Sequence, residues 1–155
     1  MHPFVGSAAV AAGRVTADEL RGPRFTRLYR GIFVCSEARV DFALRCRAAA
    51  LLAGGRGVLA GWAAAELLGA SCAPPGVPVE LVVPGGGRSQ PGLVVRSHVL
   101  PPEDIAQVNG VQVTSAARTA FDLGRVSPAA HAIMAVDALR SAVGGRARRT
   151  GAPQA

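Results

Sequence analysis

Asn109-Gly110-Val111-Gln112-Val113-Thr114-Ser115-Ala116-Ala117-Arg118-Thr119-Ala120-Phe121-Asp122-Leu123 changes its hydrophobic period halfway along, and that change sets the fold class. Ile105 to Val108 stand ahead of it. With Val111 to Val113 they flank Asn109-Gly110, a pair that accepts the positive φ angles of a two-residue hairpin turn. The alternation then stops, and the hydroxyls of Thr114-Ser115 are placed to cap a helix of about residues 115–124. Arg118 and Asp122, four apart, pair on one face of that helix. Strands joined by a hairpin and running into a capped helix read as an α+β domain with a short antiparallel or mixed sheet.

Toward the C-terminus, Pro128 at a first helical position opens another helix to about Val143, with Ile133, Val136 and Leu139 near its core stripe. Residues 144–155, rich in Gly, Arg and Pro, read as a disordered basic tail. Toward the N-terminus, Val79 to Val83 and Leu93 to Ser97 read as strands joined by a loop from Pro84 to Pro91. The three prolines within residues 73–78 make that stretch a loop. A helix of about residues 61–68 carries Trp62, Leu67 and Leu68, after a short strand at Val58-Leu59. A longer helix is expected over about residues 39–53. There Val40, Leu44, Ala48, Leu51 and Leu52 recur at helical spacing, and Asp41 and Arg45 form an i,i+4 pair.

The first 36 residues have a different texture. Ser7 caps a short helix that Gly13 ends, and Thr16-Ala17-Asp18-Glu19 is a capping box opening a second helix to about Leu20. Arg24 to Val34 then reads as a hairpin turning at Tyr29-Arg30-Gly31, with Phe25, Ile32 and Val34 inward. Two short helices followed by an arginine-bearing hairpin outline a small winged helix-turn-helix. The expected division is therefore a winged-helix module at residues 1–36, an α+β domain at 37–143 and the tail.

The chain has 155 residues, 50% hydrophobic and 17% charged, which suits one domain with a small appendage and excludes wholesale disorder. All 17 basic residues are arginine, so chemistry that needs a lysine is excluded. Residues 14–56 carry nine arginines against Asp18, Glu19, Glu37 and Asp41, a net of +5. Residues 57–140 carry five arginines against six acids, a net of −1, and Arg146, Arg148 and Arg149 bring the total to +7. A basic end on a near-neutral body is the charge pattern of a chain that touches a polyanion. Cys35, Cys46 and Cys72 have no C-x-x-C spacing and read as thiols in a reducing compartment. With no signal-peptide pattern and no uncharged run of the roughly 18 residues a span requires, the expected location is the cytoplasm.

Arg24, Thr26, Arg27 and Arg30 are the candidate DNA contacts, because arginine forks and hydroxyls on a wing suit phosphate oxygens. The competing reading is a solvated hairpin face in an arginine-biased chain, and Asp18 and Glu19 on the preceding helix oppose phosphate. Gly85-Gly86-Gly87-Arg88 joins two strands and lacks a following G-K-[ST], so it reads as a connection rather than a phosphate loop. Glu103-Asp104, His98 and His131 assemble no metal or nucleophile pattern. No catalytic residue, cofactor or metal is expected, and the chain is read as a binding protein rather than an enzyme.

The order of these motifs resembles a known family. Arg27-Leu-Tyr-Arg-Gly-Ile-Phe-Val34 is followed by Trp62-Ala-Ala-Ala-Glu-Leu-Leu-Gly69, Val79-Glu-Leu-Val-Val-Pro84, Gly92-Leu-Val-Val-Arg-Ser97 and the Asn109–Leu123 block. Over about residues 4–142 they look like the AbiEi-like antitoxins of type IV toxin–antitoxin systems. They look especially like the actinobacterial proteins in which the module precedes a very-short-patch-repair-type endonuclease domain. The resemblance implies a DNA-binding wing and an α+β domain that helps bind DNA or counters a nucleotidyltransferase-like toxin. By position the wing arginines are Arg24, Arg27 and Arg30. Thr114, Ser115, Arg118 and Asp122 match the family's helix start, with an architectural role. Where relatives often carry Ser-His before the Ala-rich helix, this chain has Ala60-Gly61. Where longer relatives begin a nuclease, it has the basic tail, which reads as a truncated relative without cleavage activity. The function expected is a DNA-binding, antitoxin-like autorepressor acting on double-stranded DNA, with a homodimer supplying specificity. The alternatives are a toxin-binding interaction module and an inactive relic.

Overall fold

The computed structural model describes residues 2–150, with side chains as far as Gly144. Its first layer is a three-stranded antiparallel sheet in the order β1-β3-β2, from β1 (Phe4–Val5), β2 (Phe25–Tyr29) and β3 (Ile32–Cys35). Helices α1 (Gly6–Ala11) and α2 (Ala17–Arg21) lie between β1 and β2 in the chain. The register slips between Arg27 and Tyr29, a bulge that puts Leu28 and Tyr29 in sequence on the buried side. Ile32 and Val34 are buried as expected, but Phe25 pairs with Cys35 and shares the opposite face with Phe33. There its ring meets Phe4 edge-on at 5.4 Å. Ser7 does not cap α1: the N-cap is Val5, and the chain passes from β1 directly into the helix.

Helix α3 (Phe42–Ala53) packs against both this sheet and the second one. Asp41 is its N-cap, accepting from the Leu44 amide at 2.7 Å, so its carboxylate is not the expected partner of Arg45. Arg45 instead donates to the Gly92 carbonyl at 3.0 Å. A helix buried on several sides has no single stripe. Leu44 and Ala48 of the expected stripe are buried together with Cys46, Ala49 and Ala53, while Val40 and Leu51, also placed on the stripe by spacing, are exposed. Burial pushes the Cys46 thiol up to about 12.

The second sheet has the order β6-β5-β4-β8-β7, from β4 (Val58–Ala60), β5 (Val79–Val82), β6 (Leu93–Arg96), β7 (Ile105–Val108) and β8 (Val111–Thr114). β4 runs antiparallel to β5 and parallel to β8, and β5 runs parallel to β6. The fold is thus mixed α+β with two small sheets. Parallel neighbours usually need a helical crossover; here the loop after β5 instead folds back along the open edge of β6. It is tied there by the Ser89 hydroxyl, which accepts from the Val95 amide at 3.0 Å, and by the Gln90–Leu93 bridge. That covering removes an exposed edge.

Helices α4 (Gly61–Leu68), α5 (Ala116–Val126) and α6 (Ala129–Thr150) complete the body, with α5 packed against both α4 and α6. Leu59, Leu81, Val113, Leu123 and Leu139 share one core with Tyr29 and Ile32 of the first sheet. Val58, Ala60, Val82 and Leu100 form a smaller cluster on the sheet's other face. Ile133, expected in the core, is 71% exposed, whereas Ala135 and Leu139 carry the buried face of α6. α6 also continues past Val143 into the segment expected to be disordered, since Ala and Arg are strong helix formers and each glycine costs only about 1 kcal/mol. Residues 151–155 of that expected tail lie outside the described residues.

Candidate nucleic-acid interface

The β2–β3 hairpin turns at Arg30-Gly31, with Gly31 at φ +77°, so the arginines sit on or beside an exposed tip. Arg27 and Arg30 are exposed and form no ion pair among the described residues. Arg24 is more committed: its Nη1 donates to Glu19 at 3.3 Å and its guanidinium lies 5.4 Å from the Phe25 ring centre. Thr26 is exposed, and its hydroxyl faces the Ser36 hydroxyl at 3.2 Å. A contact that sequence spacing could not supply fixes the tip: the Arg30 amide donates to Gln90 Oε1 of the β5–β6 loop at 2.8 Å.

The two acids of α2 are occupied. Glu19 closes the capping box, receiving the Thr16 amide at 2.7 Å while the Thr16 hydroxyl receives the Glu19 amide at 3.1 Å. Those Thr16 bonds, with Arg24 behind them, hold the Glu19 carboxyl below its ordinary 4.5. Asp18 pairs with Arg21. Tyr29 is buried and its hydroxyl has no hydrogen-bond partner among the described residues. Burial pushes its phenol up, and the Arg45 guanidinium, through its polar contact with the hydroxyl and its charge, offsets part of that rise.

Thr114, Ser115, Arg118 and Asp122 come together where β8 turns into α5. Ser115 is the cap, accepting from the Arg118 amide at 3.2 Å. Thr114 does not cap. It is the last residue of β8 and fully buried, with its hydroxyl 2.8 Å from that of Thr119, which also approaches the Ser115 carbonyl at 2.8 Å. Arg118 donates through Nε to Asp122 at 2.8 Å, as its spacing predicts, and through Nη1 to Asp104 at 2.7 Å. The Asp104 carbonyl takes the Ser115 amide at 2.7 Å. One guanidinium fork therefore ties α5 to the turn before β7.

A hollow of about 300 Å³ opens beside this corner, between α5 and the outer sheet face bearing Glu80 and Arg96. Two of its arginines are paired, Arg96 donating to Glu80 at 3.3 Å and Arg118 holding Asp122, while Arg125 lies over the Phe121 ring. His98 also lines it. Among the described residues no group of three His, Cys, Asp or Glu side chains could hold a metal ion, and no helix is long and apolar enough to cross a membrane.

No curated protein matches the chain. The family model described as the AbiEi antitoxin C-terminal domain matches residues 56–150. That range runs from just before β4 to the end of α6 and takes in the Thr114–Asp122 corner. With more than half of its length inside that match, the chain belongs to the AbiEi antitoxin family.

Proposed function

We propose that the chain is a DNA-binding regulator of the antitoxin type, a non-catalytic repressor of its own operon. Residues 1–36 act as a winged-helix module and residues 37–143 as the antitoxin domain. The observation that carries this reading is the strand order β1-β3-β2 with α1 and α2 placed before an exposed hairpin, an arrangement that supports a winged-helix module. The net positive charge of residues 14–56 supports phosphate contact, as do Arg27 and Arg30, which form no ion pair among the described residues. Asp18 and Glu19 do not oppose it, because Arg21, Arg24 and the Thr16 cap engage them. One five-residue helix reads few base pairs, so a second copy on a two-fold site supplies the rest of the specificity.

The test is fluorescence anisotropy of a duplex from the gene's own upstream region against scrambled DNA, at 50 and 200 mM salt. With about five phosphate contacts, affinity falls roughly 10²–10³-fold between those salts. R27A/R30A is expected to lower the salt slope by about 2, and R24A, whose guanidinium is engaged by Glu19, by less than about 1. Equal binding by wild type and R27A/R30A overturns the wing assignment.

A second reading, a surface for a nucleotidyltransferase-like toxin, draws on one observation. Phe121 and Val126 of α5, with Ile133 and Met134 of α6, leave large apolar side chains exposed on adjacent helices. F121A/I133A is expected to lose co-purification with such a protein encoded beside this gene, with DNA binding retained. Unchanged co-purification removes this face from the interface.

A further inference from the structure

Helix α6 has two faces of opposite character. Ala135 and Leu139 are buried, Ala138 packs against the same core, and the His131 ring meets that of Trp62 edge-on at 6.4 Å. These positions recur at spacings of three and four, so they fix how the helix is turned. On the far side Ile133, Met134, Asp137, Arg140, Ser141 and Gly144 are all exposed. A single apolar residue on a surface needs no explanation. Here, however, Ile133, Asp137, Arg140 and Gly144 follow one another at spacings of four, three and four, the seam spacing of a helix that packs lengthwise on another helix.

The charges on this seam fit a copy of themselves. Asp137 and Arg140 form no ion pair among the described residues. Asp137 with Arg140, and Ile133 with Gly144, share one midpoint, between residues 138 and 139. About a two-fold axis through that point, an antiparallel second α6 sets its Arg140 level with Asp137 and its Gly144 level with Ile133, and the reverse contacts follow by symmetry. Two ion pairs fill the central layers, and each outer layer sets a bulky side chain against a glycine. An added Cβ at Gly144 would meet nothing within 4 Å among the described residues, so the notch opposite Ile133 is open. A parallel copy would instead set Asp137 on Asp137 and Arg140 on Arg140, which repel. Charge thus selects one orientation and one register, a match within a single helix that an unrelated partner would not require.

We infer that α6 is a self-association surface: a second copy of this chain packs its own α6 antiparallel on it, with Asp137 of each copy paired to Arg140 of the other. This rests on the reading above only for the second copy, and it needs no DNA. It gives to that copy the α6 part of the face considered above for a toxin. The seam spans about three helical turns, a small interface, so the dimer forms at micromolar rather than nanomolar concentration.

Sedimentation velocity on the full chain without DNA tests this. Between about 1 and 200 µM, wild type is expected to pass from a single chain to a pair. D137R and R140D are each expected to raise the dissociation constant at least about tenfold, because each sets like charges opposite one another in both central layers. Neither side chain makes a bond among the described residues, so the circular dichroism of both variants is expected to match wild type. In an equimolar mixture of D137R and R140D every central contact again joins opposite charges, and a heterodimer is expected at about the wild-type concentration. No change confined to one chain produces that rescue. Wild type that stays monomeric at 200 µM overturns the interface and leaves the DNA-binding reading standing. So does a dimer that both variants leave unchanged, or a mixture that fails to associate where wild type does. A monomer that D137R prevents from binding a nucleotidyltransferase-like protein encoded beside this gene gives the face to the toxin and overturns self-association. Wild type that dimerises and loses the dimer in D137R, yet binds neither duplex, keeps the α6 interface and overturns the wing.

Discussion

Arg118 concentrates more structure than any other charged residue described. Its guanidinium reaches Asp122 on its own helix and Asp104 across the β7–β8 hairpin, with each side chain about a quarter exposed. R118A leaves those two carboxylates close together with no cation between them. Because solvent screens part of the interaction, the expected loss is about 1–2 kcal/mol of unfolding free energy, read as a lower urea midpoint at unchanged slope. R118K recovers only part of it, since one ammonium cannot fork to two carboxylates. R118A as stable as wild type would move the joint to the Thr114–Thr119 hydroxyl pair. The Asp122 half of this arrangement was legible from its spacing of four. The Asp104 half was not, because only the register of β7 on β8 returns residue 104 to the start of α5. The Gln90 contact to Arg30 was hidden for the same reason: nothing local in either segment points sixty residues away.

Elements that satisfy their own backbone groups were the readable ones. The Asn109-Gly110 turn, with φ of +49° and +79°, and the Thr16–Glu19 box follow from residue chemistry within four positions. So does α4, whose C-cap Gly69 sits at φ +99°. Where packing decides, sequence periodicity misled. α3 lies against two sheets, so Cys46, Ala49 and Ala53 are buried beside Leu44 and Ala48 of the stripe, while Val40 and Leu51 are exposed. The bulge after Arg27 turned Phe25 to the opposite face from Val34, a shift that strict alternation does not anticipate. The strands of β5 and β6 were visible, but their parallel pairing was not. Only the loop's bonds along the β6 edge allow it. The candidate wing was legible as a pattern of residues, whereas the pairing state of each arginine required the tertiary structure.

At the scale of the molecule, Tyr29 and Ile32 of the hairpin belong to the same core as Leu59, Leu81 and Leu123 of the body. The module boundary expected near residue 36 therefore crosses continuous packing. Heat or urea should unfold the chain in a single transition, with far-ultraviolet circular dichroism and Trp62 fluorescence giving coincident curves. Separate transitions would show two independent units. This shared core also makes occupancy of the hairpin a thermodynamic property of the whole chain. A ligand that binds only the folded state at a hundred times its dissociation constant adds about 2.7 kcal/mol to stability. With a common core, that increment reaches α4, α5 and α6 without touching them. If the hairpin binds an operator as proposed, the bound chain resists proteolysis along its full length, and release from DNA is the moment at which it becomes degradable.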